Sequence, residues 1–196
     1  MKSNLRVDLA RIAAQIPPGS RVLDLGCGSG DLLSYLVSQQ GCRGLGVERD
    51  PSEVASAIAA GVPVLALDLD TQLGQFSDGS FDVVVLSRTL QAVRHPVDVL
   101  RQMARIGSLL IVSMPNFAYW PHRVTLLRGS MPRSSDLPFD WFDTPNLHYA
   151  TLNSLESLFA SLGLTQGRRL ALKPSGRLVH RLVNLRAGSA IYVLRA

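Results

Sequence analysis

The chain alternates between short apolar runs and longer stretches whose apolar residues recur at helical spacing, and this alternation most constrains its fold. The runs "RVLDL" at 21–25, "FDVVVLS" at 81–87 and "SLLIVSM" at 108–114 have the length and composition of buried strands. Strands that alternate with helices form βαβ units, because parallel neighbours need a crossover connection. The sequence therefore predicts an α/β fold with a doubly wound, Rossmann-like sheet.

The helices between these runs carry recognisable start and stop signals. The first helix is predicted over Leu5–Ile16. Asp50, Pro51 and Glu53 have the pattern of a capping box at the start of a later helix, and Gly107 is a C-terminal stop for the helix before "SLLIVSM". Further strands are predicted at 44–48, 62–69, 167–173 and 190–196, and a short amphipathic helix is considered around 177–184.

Residues 115–150 interrupt the alternation. This segment holds five of the 11 prolines, both tryptophans and seven of the 12 aromatic residues, with little periodicity. A long irregular stretch within a compact domain is usually functional or mobile. We therefore predict one domain over residues 1–196, with an irregular aromatic-rich insert at 115–150.

Composition narrows the classes of protein to consider. Hydrophobic residues make up 46% of the chain and charged residues 18%, but no run of about 18 apolar residues predicts a membrane span. The first 16 residues lack the continuous apolar centre of a secretory signal. The two cysteines, Cys27 and Cys42, have neither disulfide-framework nor metal-site spacing. We predict a cytoplasmic protein with no metal and no membrane partner.

The net charge of +5 is concentrated at the C-terminal end. No acidic residue follows Glu156, whereas seven basic residues do, and residues 1–156 carry a net charge of −2. This segment is either a basic surface without a partner or a docking face for something acidic. No aromatic residues interleave with its arginines as stacking platforms, so nucleic acid is not predicted as a partner.

The stretch "RVLDLGCGSGDLL" places three alternating glycines directly after the first predicted strand. Gly26, Gly28 and Gly30 do not have dinucleotide-fingerprint spacing, since Asp31 stands where the third glycine would be. An acidic residue at a helix start repels a pyrophosphate. The loop therefore disfavours a phosphate ligand. For Gly26 and Gly30, the alternative is that glycine serves only tight packing.

Acidic residues follow the first three predicted strands. Asp24 can accept hydrogen bonds from an ammonium group, Glu48 can hold both ribose hydroxyls, and Asp68 with Leu69 can meet an adenine. Open α/β sheets bind ligands at these carboxyl ends. S-adenosylmethionine meets all of these requirements, as does S-adenosylhomocysteine apart from the positive charge on sulfur. Two alternatives are a turn-capping role for Asp24 and another doubly wound nucleotide binder.

The segment "VLDLGCGSG", Glu48 and the pair Asp68-Leu69 resemble the first three motifs of class I S-adenosylmethionine-dependent methyltransferases. The resemblance implies a seven-stranded sheet, mostly parallel, with helices on both faces and an antiparallel last strand. It implies that the cofactor is held by Asp24, Gly26, Cys27, Gly28, Gly30, Glu48, Arg49, Asp68, Leu69 and Ser87.

Later segments narrow the resemblance. The stretches "FDVVVLSRTLQAVRHPVDVLRQMARIG", "IVSMPNFAYWPHR" and "RGSMPRSSDLPFDWFDTPNLH" closely resemble the MetW family of methionine-biosynthesis proteins, and the likeness runs over about Arg6 to Gly163. Members of that family are associated with homoserine O-acyltransferases. The resemblance thus implies a homoserine O-acyltransferase as partner.

No residue stands out as a catalytic base. The end of the fourth predicted strand, "SRTLQAV", lacks the Asn/Asp-Pro-Pro-aromatic motif that holds an amide or exocyclic amine. His122, Asp143 and His148 in the aromatic-rich segment are the candidates for a base or for binding a carboxylate. For each, a structural role is the alternative, and His148 is interpreted as a structural hydrogen-bonding residue.

Two functions therefore remain open. In one, the protein binds S-adenosylmethionine or its product and regulates or activates a homoserine O-acyltransferase. In the other, it is an active methyltransferase on a small-molecule acceptor enclosed by residues 115–150. Trp and Arg side chains in that segment suit either a protein interface or a substrate lid.

Overall fold

In a computed structural model that describes residues 5–196, seven strands form a single sheet. The strands are β1 (Arg21–Leu25), β2 (Arg43–Glu48), β3 (Val64–Ala66), β4 (Phe81–Ser87), β5 (Gly107–Pro115), β6 (Thr165–Leu172) and β7 (Ser189–Arg195). Their order is β3-β2-β1-β4-β5-β7-β6. Neighbours among β1 to β5 are parallel, and β7 is antiparallel to both β5 and β6. The predicted sheet is confirmed, with its antiparallel last strand.

Helices cover both faces of the sheet. They are α1 (Val7–Ala13), α2 (Asp31–Gln40), α3 (Pro51–Ala59), α4 (Pro96–Ile106), α5 (Trp120–Leu127), α6 (Leu152–Ser161) and α7 (Val183–Arg186), with one 3₁₀ turn at Leu73–Gln75. Side chains of successive strand residues point to opposite faces. Val83 and Val85 of β4 therefore pack in the cluster with α1, α2 and α3, whereas Val84 and Leu86 pack in the cluster with α4 and α6.

Strand β3 is shorter than predicted, with three residues in place of the eight expected over 62–69. It is an edge strand that pairs only with β2. Pro63 has no N–H to donate, and the Leu67 N–H turns back to the Leu65 carbonyl at 3.1 Å. The short strand leaves residues 67–70 free to turn over the carboxyl edge of the sheet.

The start of α3 forms only half of the predicted capping box. The Asp50 carboxylate accepts hydrogen bonds from the Ser52 and Glu53 N–H groups, as expected of an N-cap. The Asp50 N–H instead donates to Glu48 Oε1 at 3.0 Å, so Glu53 does not complete the box. The end of β2 and the start of α3 are therefore joined through the Glu48 side chain.

The segment 115–150 contains more helix than expected, and the connection between β6 and β7 contains less. Within 115–150, the helix α5 forms with Pro121 in its first turn, and residues 128–151 contain no helix. Between β6 and β7 only Val183–Arg186 is helical. Leu182, the residue before this helix, has a left-handed φ of 52°, which is incompatible with a right-handed helix running through it. The prediction of a short helix around 177–184 is therefore wrong for the first six of these residues.

Within the described range, no helix has the length and apolar character needed to cross a membrane. The division into a single domain over 1–196 stays a prediction, and its first four residues lie outside the described part of the chain.

Candidate functional site

The glycine loop lies at the carboxyl edge of the sheet, between β1 and α2. Gly26, Gly28 and Gly30 all have left-handed φ values, of 72°, 54° and 80°. Residues with a Cβ rarely adopt this conformation, because Cβ approaches the following carbonyl. The loop is therefore held in a shape that requires glycine at three alternating positions.

The three glycines differ in what a side chain would meet. A Cβ on Gly26 would lie 2.5 Å from Thr89 Oγ1, and one on Gly30 would lie 3.0 Å from Val62 Cγ2. Close packing against Thr89 and Val62 therefore gives each of these two glycines a structural reason. A Cβ on Gly28 would meet only Glu53 Oε2, at 3.6 Å. Gly28 thus faces open space, and internal packing does not account for it.

Asp24, the fourth residue of β1, is buried beneath this loop. Asp24 is among the residues that line a cavity at this loop, called the loop cavity below, yet the residue is only 3% exposed, and Oδ1 has no hydrogen-bond partner among the described residues. The alternative of a turn-capping role finds no support at this atom. Burial, with the Glu48 charge as a second cause, raises the pKa of Asp24 to about 7. An unpaired buried carboxylate that lines a cavity is suited to a cationic hydrogen-bond donor.

This pKa makes the stability of the unliganded protein pH-dependent. A carboxyl whose pKa is raised by folding favours the folded state below its unfolded value of 3.8, and this contribution is lost as pH rises through about 7. The Asp24→Asn variant mimics the neutral form. It is therefore expected to melt at a higher temperature than the wild type at pH 8, and this difference is expected to shrink as the pH is lowered towards about 4, in thermal unfolding followed by circular dichroism.

A matched variant is expected to change the melting temperature in the opposite direction. Hydrogen bonds from Arg21 lower the pKa of Asp82, so Asp82→Asn is expected to reduce the melting temperature at pH 8. If Asp24→Asn also melted lower at pH 8, the carboxylate of Asp24 would be paired rather than isolated in the unliganded protein.

Glu48 holds the entrance of the crevice together. Its Oε2 accepts a hydrogen bond from the Gly28 N–H at 3.0 Å. Its Oε1 accepts from the Arg49 N–H at 2.7 Å and from the Asp50 N–H at 3.0 Å. The carboxylate therefore fixes the glycine loop against the end of β2, in addition to the ribose contact predicted from sequence.

Two adjacent cavities form the crevice. The first, of about 200 Å³, is lined by Gly26, Val47, Glu48, Arg49, Leu67, Asp68, Leu69, Asp70, Arg88, Thr89, Ala92 and Val93. The second, the loop cavity, of about 260 Å³, is lined by Arg6, Leu9, Asp24, Gly26, Cys27, Gly28, Ser29, Asp31, Leu32, Glu53, Ser87 and Arg88. Gly26 and Arg88 belong to both linings. Of the residues predicted to hold the cofactor, only Gly30 lies outside both linings.

The lining of the first cavity combines apolar residues with acidic and basic ones. Asp68 Oδ1 accepts the Asp70 N–H at 2.9 Å, and Asp68 Oδ2 lies 3.9 Å from Arg49 Nη1. Leu67 and Leu69 provide partly buried apolar surface beside these groups. This combination suits an aromatic ring that carries polar edges.

The loop cavity also contains Cys27 and Ser87. Burial, with the nearby Asp24 and Glu48 charges, raises the pKa of the Cys27 thiol to about 12. The thiol therefore stays protonated at neutral pH and is no nucleophile. Ser87 Oγ lies 3.2 Å from Ser113 Oγ, which leaves it positioned at the end of β4.

Arg88 belongs to the polar stretch "SRTLQAV" that the sequence places at the cofactor cleft, but it was not among the residues predicted to hold the cofactor. It has a left-handed φ of 55°, and its N–H donates to the Ser113 carbonyl at 3.0 Å. Its guanidinium pairs with Asp8 Oδ2 at 3.1 Å and with Asp136 Oδ1. Arg88 therefore connects α1, the end of β4 and the aromatic-rich segment at the point where the two cavities meet. Its position directly after the strand "FDVVVLS" was the only available signal.

Arg6 is the second basic group in the loop cavity. Its guanidinium pairs with the same Asp8 carboxylate, at 3.0 Å from Nε to Oδ1 and 2.9 Å from Nη2 to Oδ2. Asp8 thus holds Arg6 and Arg88 together at the rim. Two arginines beside the buried Asp24 suit a ligand end that carries both a carboxylate and an ammonium group.

The three candidate bases lie apart from these cavities. His122 is 1% exposed, and its Nε2 lies 3.0 Å from Ser134 Oγ. Burial lowers its pKa. Asp143 is exposed on the aromatic-rich segment. His148 has a buried Nε2 without a partner among the described residues and lines a small cavity with Gln91 and Met114. None of the three lines either crevice cavity within the described range.

Comparisons with known proteins agree with this architecture. The family profile described as "Methionine biosynthesis protein MetW" matches residues 6–194. A "Bifunctional methionine biosynthesis protein MetXA/MetW" from Rhodopirellula baltica is 37% identical over 172 residues, which are 82% of this chain and 27% of that protein. A "2-phytyl-1,4-naphtoquinone methyltransferase" from Synechococcus elongatus is 38% identical over 97 residues, 45% of this chain and 42% of that protein. The chain thus spans less than half the length of either relative.

A solved structure shares the whole fold. An S-adenosylmethionine dependent methyltransferase from Mesorhizobium loti superposes with a TM-score of 0.73 at 19% sequence identity, over 97% of this chain and 98% of that one. At this identity the similarity establishes the fold alone.

Proposed function

Because the chain belongs to the MetW family of methionine-biosynthesis proteins, we propose that it binds S-adenosylmethionine, or S-adenosylhomocysteine, and acts with or regulates a homoserine O-acyltransferase. The observation that carries the binding proposal is the buried Oδ1 of Asp24, which has no partner among the described residues and belongs to a residue that lines the loop cavity together with Gly28. A buried acceptor of this kind is costly unless a ligand satisfies it.

The residues present fit this cofactor chemically. Asp24 would accept hydrogen bonds from its ammonium group, and Arg6 with Arg88 would pair with its carboxylate. Glu48 would accept from the ribose hydroxyls, while Leu67 and Leu69 would contact the adenine ring. When bound, S-adenosylmethionine supplies an activated methyl group on a sulfonium. Acidic residues along the crevice favour this cationic nucleoside over a phosphate-bearing one.

The proposed partner rests on the bifunctional relative. Its name joins MetXA and MetW, and this chain covers 27% of its length. Two functions fused in one polypeptide support an association between the separate proteins. Binding an end-product-derived nucleoside while contacting an early biosynthetic enzyme would couple the two sites through differential affinity.

A methyltransferase acting on a small-molecule acceptor is the second candidate. It is favoured by the buried Gln91 Oε1 and His148 Nε2, which lack partners in the described range and belong to residues lining one small cavity with Met114 and Pro115. Positioning alone provides much of the acceleration of a methyl transfer.

One set of measurements separates these functions. In calorimetric titrations, S-adenosylmethionine and S-adenosylhomocysteine are expected to bind and NAD is not. A tagged form of this chain is expected to co-purify with the homoserine O-acyltransferase of its own source and to change the activity of that enzyme.

Transfer of a labelled methyl group to a discrete metabolite would favour the second candidate. Tight binding of NAD alone would contradict both candidates.

A further inference from the structure

A concavity lined by basic residues lies in the connection between β6 and β7. Its volume is about 310 Å³, and it is lined by Lys173, Arg177, Leu178, Val179, His180, Arg181 and Arg186. It shares no lining residue with the two crevice cavities. Leu172 pairs with Ser189, and Ser189 pairs with Pro115 at the end of β5. The concavity therefore lies at the same edge of the sheet as the crevice but beyond β5.

Backbone hydrogen bonds shape this concavity. The Lys173 N–H donates to the Arg177 carbonyl and the Gly176 N–H to the Lys173 carbonyl, both at 2.8 Å. The Val179 N–H donates to the Ala171 carbonyl at 2.8 Å, which extends β6 as a tight hairpin. The hairpin and the short helix α7 together form its walls, so the basic side chains converge from two segments.

The charges in this concavity are not neutralised. Lys173, Arg177, Arg181 and Arg186 form no ion pair with any carboxylate in residues 5–196. By contrast, Arg169 of the same C-terminal segment pairs with Glu156 at 2.6 Å. Four like charges around one concavity repel each other, and an anion bound between them would relieve this repulsion.

We propose that this basic concavity binds a small molecule that carries two or more phosphate groups. Three of its four fixed charges are arginines, whose planar guanidinium groups bind phosphate oxygens in pairs. Four positive charges suit a ligand with several negative charges better than a single carboxylate. A concave wall of limited volume favours a compact ligand over an extended acidic face of another protein.

The test uses pyrophosphate as the probe, with orthophosphate for comparison, in calorimetric titrations at low ionic strength. Pyrophosphate is expected to bind more tightly than orthophosphate and more weakly as salt is added. The variant Arg181→Gln/Arg186→Gln is expected to raise the Kd for pyrophosphate by about tenfold or more, because it removes two charge-assisted contacts. Its melting temperature should be no lower than that of the wild type, since the repulsion is reduced.

The control variant Arg11→Gln/Arg195→Gln removes the same charge from α1 and from the end of β7. It is expected to leave the Kd for pyrophosphate within about twofold, as diffuse surface charge contributes little. Equal weakening in both variants, or no binding of pyrophosphate by the wild type, would overturn the proposal. Loss of acyltransferase co-purification in Arg181→Gln/Arg186→Gln without any pyrophosphate binding would overturn it in favour of a protein-docking face. Retained S-adenosylmethionine binding in the same variant keeps this result separate from the function proposed above.

Discussion

The Gly28→Val variant is expected to lose at least about a hundredfold in affinity for S-adenosylmethionine, or roughly 2.8 kcal/mol, while remaining folded. Gly28 has a left-handed φ of 54° and lines the loop cavity. A Cβ placed there meets only Glu53 Oε2, at 3.6 Å, so a valine side chain would fill space meant for the ligand without disturbing the core. Calorimetry on the purified variant measures the loss directly.

The backbone cost of this substitution has a matched control. Gly19 also has a left-handed φ, of 76°, and a Cβ there would meet nothing within 4 Å. Gly19→Val should therefore carry a similar conformational penalty of about 1–2 kcal/mol and keep full affinity. Similar melting temperatures for the two variants, with binding lost only in Gly28→Val, would separate ligand exclusion from destabilisation. Unchanged affinity in Gly28→Val would place the ligand elsewhere.

The parts of the fold that sequence predicted well are those with local signals. Strands β1 and β4 begin and end at the residues predicted, because each is a buried apolar run set off by turn residues. The N-cap at Asp50 was also predicted correctly. The short β3 was missed, since its length depends on which backbone groups find partners at the sheet edge rather than on its apolar composition.

The width of the buried face of a helix was harder to predict than the direction in which that face points. The helical spacing of Leu32, Leu33, Leu36 and Val37 in the sequence predicts that all four share one buried face of α2, but Val37 is 46% exposed, whereas the other three are buried. A periodic pattern gives the direction of a side chain but not the extent of the surface that covers it.

In the candidate site, too, the features with a local sequence signal were predicted and those that depend on distant contacts were not. The acidic residues and glycines after the strands were predicted to lie together, and the structure places nearly all of them around one crevice. Arg88 was not assigned, because its position depends on pairing with Asp8 and Asp136, which lie far away in the chain. No local pattern joins three residues that meet only in the folded protein.

The hydrogen bonds of Glu48 give this residue a structural role beside the ligand-binding role proposed for it. Its carboxylate accepts three backbone N–H groups, from Gly28, Arg49 and Asp50. Glu48→Ala removes these bonds together with the proposed ribose contact. We expect affinity for S-adenosylhomocysteine to fall by about 1.5–3 kcal/mol, roughly 10- to 150-fold. Asp98→Ala, which removes an exposed carboxylate from α4, is expected to leave the affinity unchanged.

The two roles of Glu48 can be separated by changing the ligand as well as the protein. If the carboxylate contacts the ribose, the 2′-deoxy analogue of S-adenosylhomocysteine should bind the wild type clearly more weakly than the parent compound. The same change of ligand should matter little to Glu48→Ala, because the partner of the hydroxyl is already gone. Such non-additivity is the mark of a direct contact. An equal loss in both proteins would mean that Glu48 acts only by holding the glycine loop against β2, and the ribose would then be held by another residue of the first cavity.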